Sequence, residues 1–209
     1  MTGAQVIVTV ALAAGGYLLG AVPFALLVAR VFYHADIRTI GTGNIGAGNA
    51  RRELGFAAGA AVMACDMAKG FLPALAAVLL LDPWPTALVA FLTVLGHQYS
   101  VFLRGSGGKG IATAAGAVLP LAPVVFGVTM VPWIVVVSVR RTRRAGPFVA
   151  GGTYLVSSWV IPEPLAYRVL AVAICVSVLI RFRAELRGRG RRPAPAGEAA
   201  PARDGQPSG

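Results

Sequence analysis

The chain has 209 residues, 56% of them hydrophobic and 13% charged, with a formal net charge of +11. At a mean hydropathy of +0.72 it has too few polar side chains to cover a soluble domain, so lipid is the expected solvent and no separate soluble domain fits. The basic residues lie between apolar runs and in the C-terminal tail. That is the pattern of cytoplasmic loops beside anionic headgroups, and it argues against nucleic acid as a partner.

Residues 1–5 lack the basic segment of a signal peptide, and the apolar run behind them is too long for one; a retained first helix is expected. Candidate spans follow at about 4–31, 54–80, 84–103, 111–139, 147–161 and 164–182, each to be compared with the ~20 residues that cross a ~30 Å hydrocarbon core. The stretch 111–139 contains Pro120, Pro123 and Pro132. Two prolines three apart remove amide donors and bend the chain where one helix would otherwise run through. Loop charge supports dividing it. The basic segments are 30–53, 104–109, 140–144 (Arg140, Arg141, Arg143 and Arg144) and the tail from Arg181. They share one side of the membrane only if 111–139 is a helical hairpin.

The expected fold is therefore all-α: a polytopic integral membrane helical bundle of about seven transmembrane helices, N-terminus outside and C-terminus cytoplasmic. Residues 1–188 form the membrane domain. Residues 189–209, almost without apolar bulk, read as a disordered basic, Pro-rich cytoplasmic tail. Cys65 and Cys175 lie inside apolar runs without metal-ligand spacing and read as packed thiols.

Three segments carry polar chemistry. In the first, Gly41, Gly43, Gly46 and Gly48 are packed between Arg38 and the Arg51–Arg52 pair, with Thr42, Asn44 and Asn49 among them. Glycines let successive amides turn toward one anion, and nearby arginines add bidentate charge, so this reads as a phosphate cradle. It has neither Walker-loop spacing nor the strand of a dinucleotide site. In the second, Gly107, Gly108, Lys109, Gly110 and Thr113 form a glycine-rich basic turn that opens a helix, where free amides and about half a positive charge attract phosphate. His97 lies about three helical turns before Lys109 and is read either as an orienting or base residue or as a helix-packing residue. In the third, Asp66 and Lys69 are three apart in an apolar helix, which reads as a structural ion pair. Ser-His-Asp sets, zinc-ligand spacing and paired loop carboxylates do not occur, nor does the H-x4-D motif of soluble-domain glycerolipid acyltransferases. No metal or cofactor is required, and any chemistry must come from positioning phosphorylated partners and stabilising their charge.

These motifs resemble those of the bacterial membrane acyl-phosphate:glycerol-3-phosphate acyltransferases. The family's D-I-R-x-x-G-S-G-N-x-G-A-T-N-V-x-R is similar to Asp36 through Arg52, with Thr42 for its serine and Gly48 for its threonine. Gly20 to Phe24 resembles its G-S-I-P-F, and Asp66, Lys69 and Gly70 its D-x-x-K-G. Residues 96–113 resemble G-H-x-F-P-V-F-L-x-F-K-G-G-K-G-V-A-T, with Ser100 for the proline and Ser106 for the first lysine. The resemblance implies acyl transfer from acyl phosphate to the 1-hydroxyl of glycerol 3-phosphate, giving lysophosphatidic acid and phosphate, in a multi-pass protein of the cell membrane. It implies catalytic roles for Thr42, Arg52, His97 and Lys109. Phosphate binding would fall to Arg38, Gly41, Gly43, Asn44, Gly46, Asn49, Gly107, Gly108, Gly110 and Thr113. The C-terminal half departs: Gly146 stands for a family serine, and Phe182 and Glu185 stand where the family's H-x-x-N-I has its two polar residues. These departures favour, as alternatives, a paralogue with a changed acceptor or one that only binds a phosphorylated metabolite or lipid; a small transporter is the remaining one.

Overall fold

The computed structural model describes residues 2–139 and 145–189. The arginine cluster at 140–144, with Thr142, and the segment 190–209 lie outside the described residues, as does the side chain of Glu185. The described chain is helical: α1 (Gly3–Ala21), α2 (Phe24–Tyr33), α3 (Ala47–Glu53), α4 (Phe56–Leu80), α5 (Pro83–Gln98), a 3-10 turn (Val101–Leu103), α6 (Ile111–Leu121), α7 (Pro123–Ser138), α8 (Gly146–Val160) and α9 (Leu165–Arg189).

The helix limits follow local chemistry. Thr2 and Gln5 form a reciprocal capping box at the start of α1. Pro83 and Pro123 begin α5 and α7, where a missing amide costs nothing. The first apolar run, expected as one span over 4–31, is broken at Val22–Pro23, and Pro23 caps a second helix. The 111–139 stretch divides at Ala122, which separates α6 from α7. Gly3–Tyr33, Phe56–Leu80, Pro83–Leu103 and Leu165–Ala184 are long and apolar enough to cross a membrane, while Ile111–Leu121 and Pro123–Ser138 are apolar but shorter.

Packing is inverted relative to a water-soluble core. Side chains such as Ile7, Phe32, Leu79 and Val160 face outward, whereas the interior is mostly alanine, valine and threonine. Helices associating in lipid gain little from burying leucine and instead approach closely through small residues. α1 packs along α5 and α4 along α6. A Cβ at Gly20 would meet the backbone of Thr93, and one at Gly96 the backbone of Tyr17. Gly70 and Gly116 interlock α4 and α6 in the same way, against Thr113 and Met67. A separate apolar cluster joins Ala25, Ala29, Ile37, Ile45, Ala50 and Val62, with Leu103 packed on it. The loop before α3 and the turn after α5 therefore share one end of the bundle.

Candidate active site

The first glycine loop is tied together by a side chain. Asn49, 2% exposed, accepts at Oδ1 from the Thr42 amide (3.0 Å) and the Thr42 hydroxyl (3.1 Å), and donates from Nδ2 to the carbonyls of Ile37 and Ile40, both at 3.2 Å. All four hydrogen-bonding positions of the amide group are thus engaged inside the loop. The Gly43 amide donates to Ile40 and the Asn44 amide to Thr42 Oγ1. Gly41 and Gly43 adopt the left-handed φ values that such a turn requires, +56° and +67°. Asp36 lies between Arg30 and Arg38. The Arg38 guanidinium hydrogen-bonded to it holds the Asp36 carboxyl well below the usual carboxylate range. Arg52 is exposed on the last turn of α3.

Beneath this loop lies a buried charge cluster. Lys69 Nζ is 2.8 Å from Asp66 Oδ1 and 2.8 Å from the carbonyl of Val22, which the break at Pro23 leaves available. The same ammonium sits 5.6 Å from the Phe24 ring centre. On the other side, His97 Nδ1 is 3.6 Å from Asp66 Oδ1, just beyond hydrogen-bond distance. The carboxylate is thus shared between a lysine of its own helix and the last turn of α5.

The opposite edge of the His97 ring meets the second glycine loop. A Cβ at Gly108 would run into His97 Nε2, and one at Gly107 into the carbonyls of His97 and Gln98. Only a residue without a side chain lets the loop lie this close to the end of α5. The amides of Gly107 and Gly108 donate to Gln98 O and His97 O, both at 3.1 Å. As with the Thr42, Gly43 and Asn44 amides of the first loop, these amides bond to protein, so the two glycines set loop shape. α6 opens directly behind, and the amides of Ile111, Ala112 and Thr113 precede its first intrahelical bond, from Ala114 to Gly110. Thr113 itself is fully buried against α4 and its hydroxyl has no hydrogen-bond partner. Lys109 is half-buried, its Nζ 4.6 Å above the centre of the Phe182 ring. The edge of Phe148 packs on that ring at 5.1 Å.

Thus Asp66, Lys69, His97, Gly108 and Lys109 form one continuous chain of contacts, and the Arg38–Arg52 loop joins it through the Leu103 cluster. The family model described as "Glycerol-3-phosphate acyltransferase" matches residues 10–189. The chain belongs to the glycerol-3-phosphate acyltransferase family. A family member from Myxococcus xanthus is 38% identical over 186 residues, covering 88% of this chain and 97% of that one. Another, from Rubrobacter xylanophilus, is 41% identical, with 85% and 91% covered. Among solved structures, the crystal structure of PlsY, an integral membrane glycerol 3-phosphate acyltransferase, in its glycerol 3-phosphate form matches with a TM-score of 0.79 at 32% identity, covering 88% of this chain and 94% of that one. Its lysophosphatidic acid form matches with a TM-score of 0.76. Family membership and the long apolar helices together make this an all-helical integral membrane protein and an acyltransferase of phospholipid synthesis.

Several contributors escape sequence reading. Gln98, fully buried at the end of α5, and Arg181 on α9 touch the Lys109 loop, and Phe148 packs on the Phe182 ring that faces Lys109. A glutamine with no exposed surface inside an apolar run is the one usable signal, because a buried amide needs partners. Arg181 reads in sequence as an ordinary charge at a helix end.

Proposed function

We propose that the protein transfers a fatty acyl group from acyl phosphate to the 1-hydroxyl of glycerol 3-phosphate. The hydroxyl oxygen attacks the acyl carbon, the bond from that carbon to the phosphate oxygen breaks, and inorganic phosphate leaves. The hydroxyl proton passes to a phosphate oxygen of the substrate; among the described residues, the Asp66 carboxylate approaches His97 only to 3.6 Å. Lys109, Arg52 and the first-turn amides of α6 supply positive charge for the two phosphates. Thr42 and Asn49 shape the first loop, and Asp66 orients His97 toward Gly108. The observation that carries this reading is the contact chain from Asp66 through His97 to the Lys109 loop, in a member of the acyltransferase family. Relatives whose structures are called the glycerol 3-phosphate and lysophosphatidic acid forms support the acceptor and product.

In the same proposal the chain crosses the cell membrane seven times, with its N-terminus outside. α6 and α7 count as separate crossings, supported by the break at Ala122 and by the sequence positions of the basic segments, which a hairpin there would bring to one side. A changed acceptor is a second reading, favoured by the Phe182 ring that covers Lys109. The test is conversion of labelled glycerol 3-phosphate to lysophosphatidic acid by purified protein supplied with palmitoyl phosphate, with Lys109→Ala as control. Product that vanishes in the variant supports the proposal. A folded wild-type protein that acylates only another polyol phosphate supports the second reading, and one that acylates nothing overturns both.

A further inference from the structure

The loop that carries Lys109 gives up its carbonyls as well as its amides. Arg181, on α9, donates from Nη2 to the Gly107 carbonyl at 2.6 Å and from Nε to the Gly108 carbonyl at 3.4 Å. Gln98 Nε2 donates to the next carbonyl, that of Lys109, at 2.9 Å, and to Ser177 Oγ of α9 at 3.1 Å. Three successive carbonyls are therefore drawn onto α9 and the end of α5, while the Gly107 and Gly108 amides are fixed by Gln98 and His97. The guanidinium is itself held in place by Tyr99, its carbon 5.0 Å from the ring centre.

This arrangement has a direct electrostatic consequence. A carbonyl oxygen carries partial negative charge and would repel a phosphate facing it. Three such oxygens in a row, each accepting from a guanidinium or an amide, repel an anion at the Lys109 loop less than bare carbonyls would. The glycines that permit the close fit cannot hold the loop's shape alone, because their backbones are the least restrained of any residue. The restraint comes from the end of α5 and from Arg181 of α9.

We propose that Arg181 is a positioning residue: acting through the carbonyls of Gly107 and Gly108, and with Gln98 beside it, it holds Lys109 in place for a phosphate-bearing substrate. The inference rests on the acyltransferase reading above. An arginine is required for geometric reasons, since its planar fork reaches two carbonyls while stacking on Tyr99, whereas a lysine is a compact ammonium without the fixed fork or the flat stacking face.

The test uses the full chain in detergent micelles, with Arg181→Ala, Arg181→Lys and Gln98→Ala beside wild type. Two readouts are taken: hydrogen exchange of the amides at 105–110, and steady-state kinetics with palmitoyl phosphate and glycerol 3-phosphate. Loss of the clamp is expected to speed exchange of the Gly107 and Gly108 amides about tenfold or more, leaving α4 unchanged. The kcat of Arg181→Ala should fall about 100-fold with KM little altered, as expected for a misplaced group rather than lost attraction. Arg181→Lys should recover only a small part of that loss. Complete recovery in Arg181→Lys would show that charge alone matters, and unchanged exchange would show that the clamp does not hold the loop; either overturns the inference. Wild-type protein inactive toward these substrates would overturn the acyltransferase reading instead, and the exchange comparison, repeated with inorganic phosphate as the probe, would then decide the clamp by itself.

Discussion

Asp66→Asn isolates the energetics of the buried charge cluster. Both side chains of the Asp66–Lys69 pair are 2% exposed, so removing the carboxylate charge leaves an ammonium in the bundle facing neutral groups alone: the new amide oxygen, the Val22 carbonyl and the Phe24 ring. Breaking one partner of a buried pair costs about 3–5 kcal/mol, while replacing both is often near neutral. At about 2–4 °C per kcal/mol for a chain of this size, the single variant should lose about 6–20 °C in Tm. Lys69→Met should lose a similar amount, and Asp66→Asn/Lys69→Met should regain most of it. The assay is thermal unfolding of the four proteins in one detergent. Additive losses, with the double variant worse than either single one, would refute the idea that the two charges stabilise the bundle only as a pair.

Other outcomes follow from the same geometry. Gly108→Ala drives a methyl group into His97 Nε2 and should cost about 100-fold in kcat with little change in Tm, measured by the acylation assay. Asn49→Ala removes the donor to the Ile37 carbonyl, one of the two donors to the Ile40 carbonyl, and the acceptor of the Thr42 amide; limited proteolysis within 37–46 should accelerate, with a local cost of about 1–3 kcal/mol. Asp36 gives a pH dependence whose sign is fixed. Its folded-state pKa lies below the unfolded value of about 3.9, so its contribution to loop stability is complete above about pH 5 and is lost as the pH falls through the folded value. Asp36→Asn should therefore increase proteolysis of the 30–46 loop at neutral pH and abolish any further acid sensitivity of that segment.

The sequence carries the apolar runs and their proline punctuation, and with them most helix limits: 54–80 was expected where α4 spans Phe56–Leu80, and the division near Pro120–Pro123 falls at Ala122. It does not reveal the break at Val22, because a proline that starts a second helix looks in sequence like an interruption the run tolerates. α3 was hidden for a related reason, since seven polar and small residues at Ala47–Glu53 carry too little apolar periodicity to show. The glycine loops were legible as loops but not in their hydrogen bonding. Composition shows that amides can turn together, and only the fold decides that those of Thr42, Gly43, Asn44, Gly107 and Gly108 turn inward. Contacts from Gln98 to Ser177 and from Arg181 to Gly107 join residues more than seventy positions apart, a separation at which spacing carries no information.

The most direct measurement follows the donor's phosphorus. With palmitoyl [³²P]phosphate and unlabelled glycerol 3-phosphate, acyl transfer predicts one labelled inorganic phosphate released for each lysophosphatidic acid formed, none of the label in lipid, and no release when the acceptor is left out. Label appearing in the lipid product, or phosphate released at the same rate without acceptor, would contradict the account.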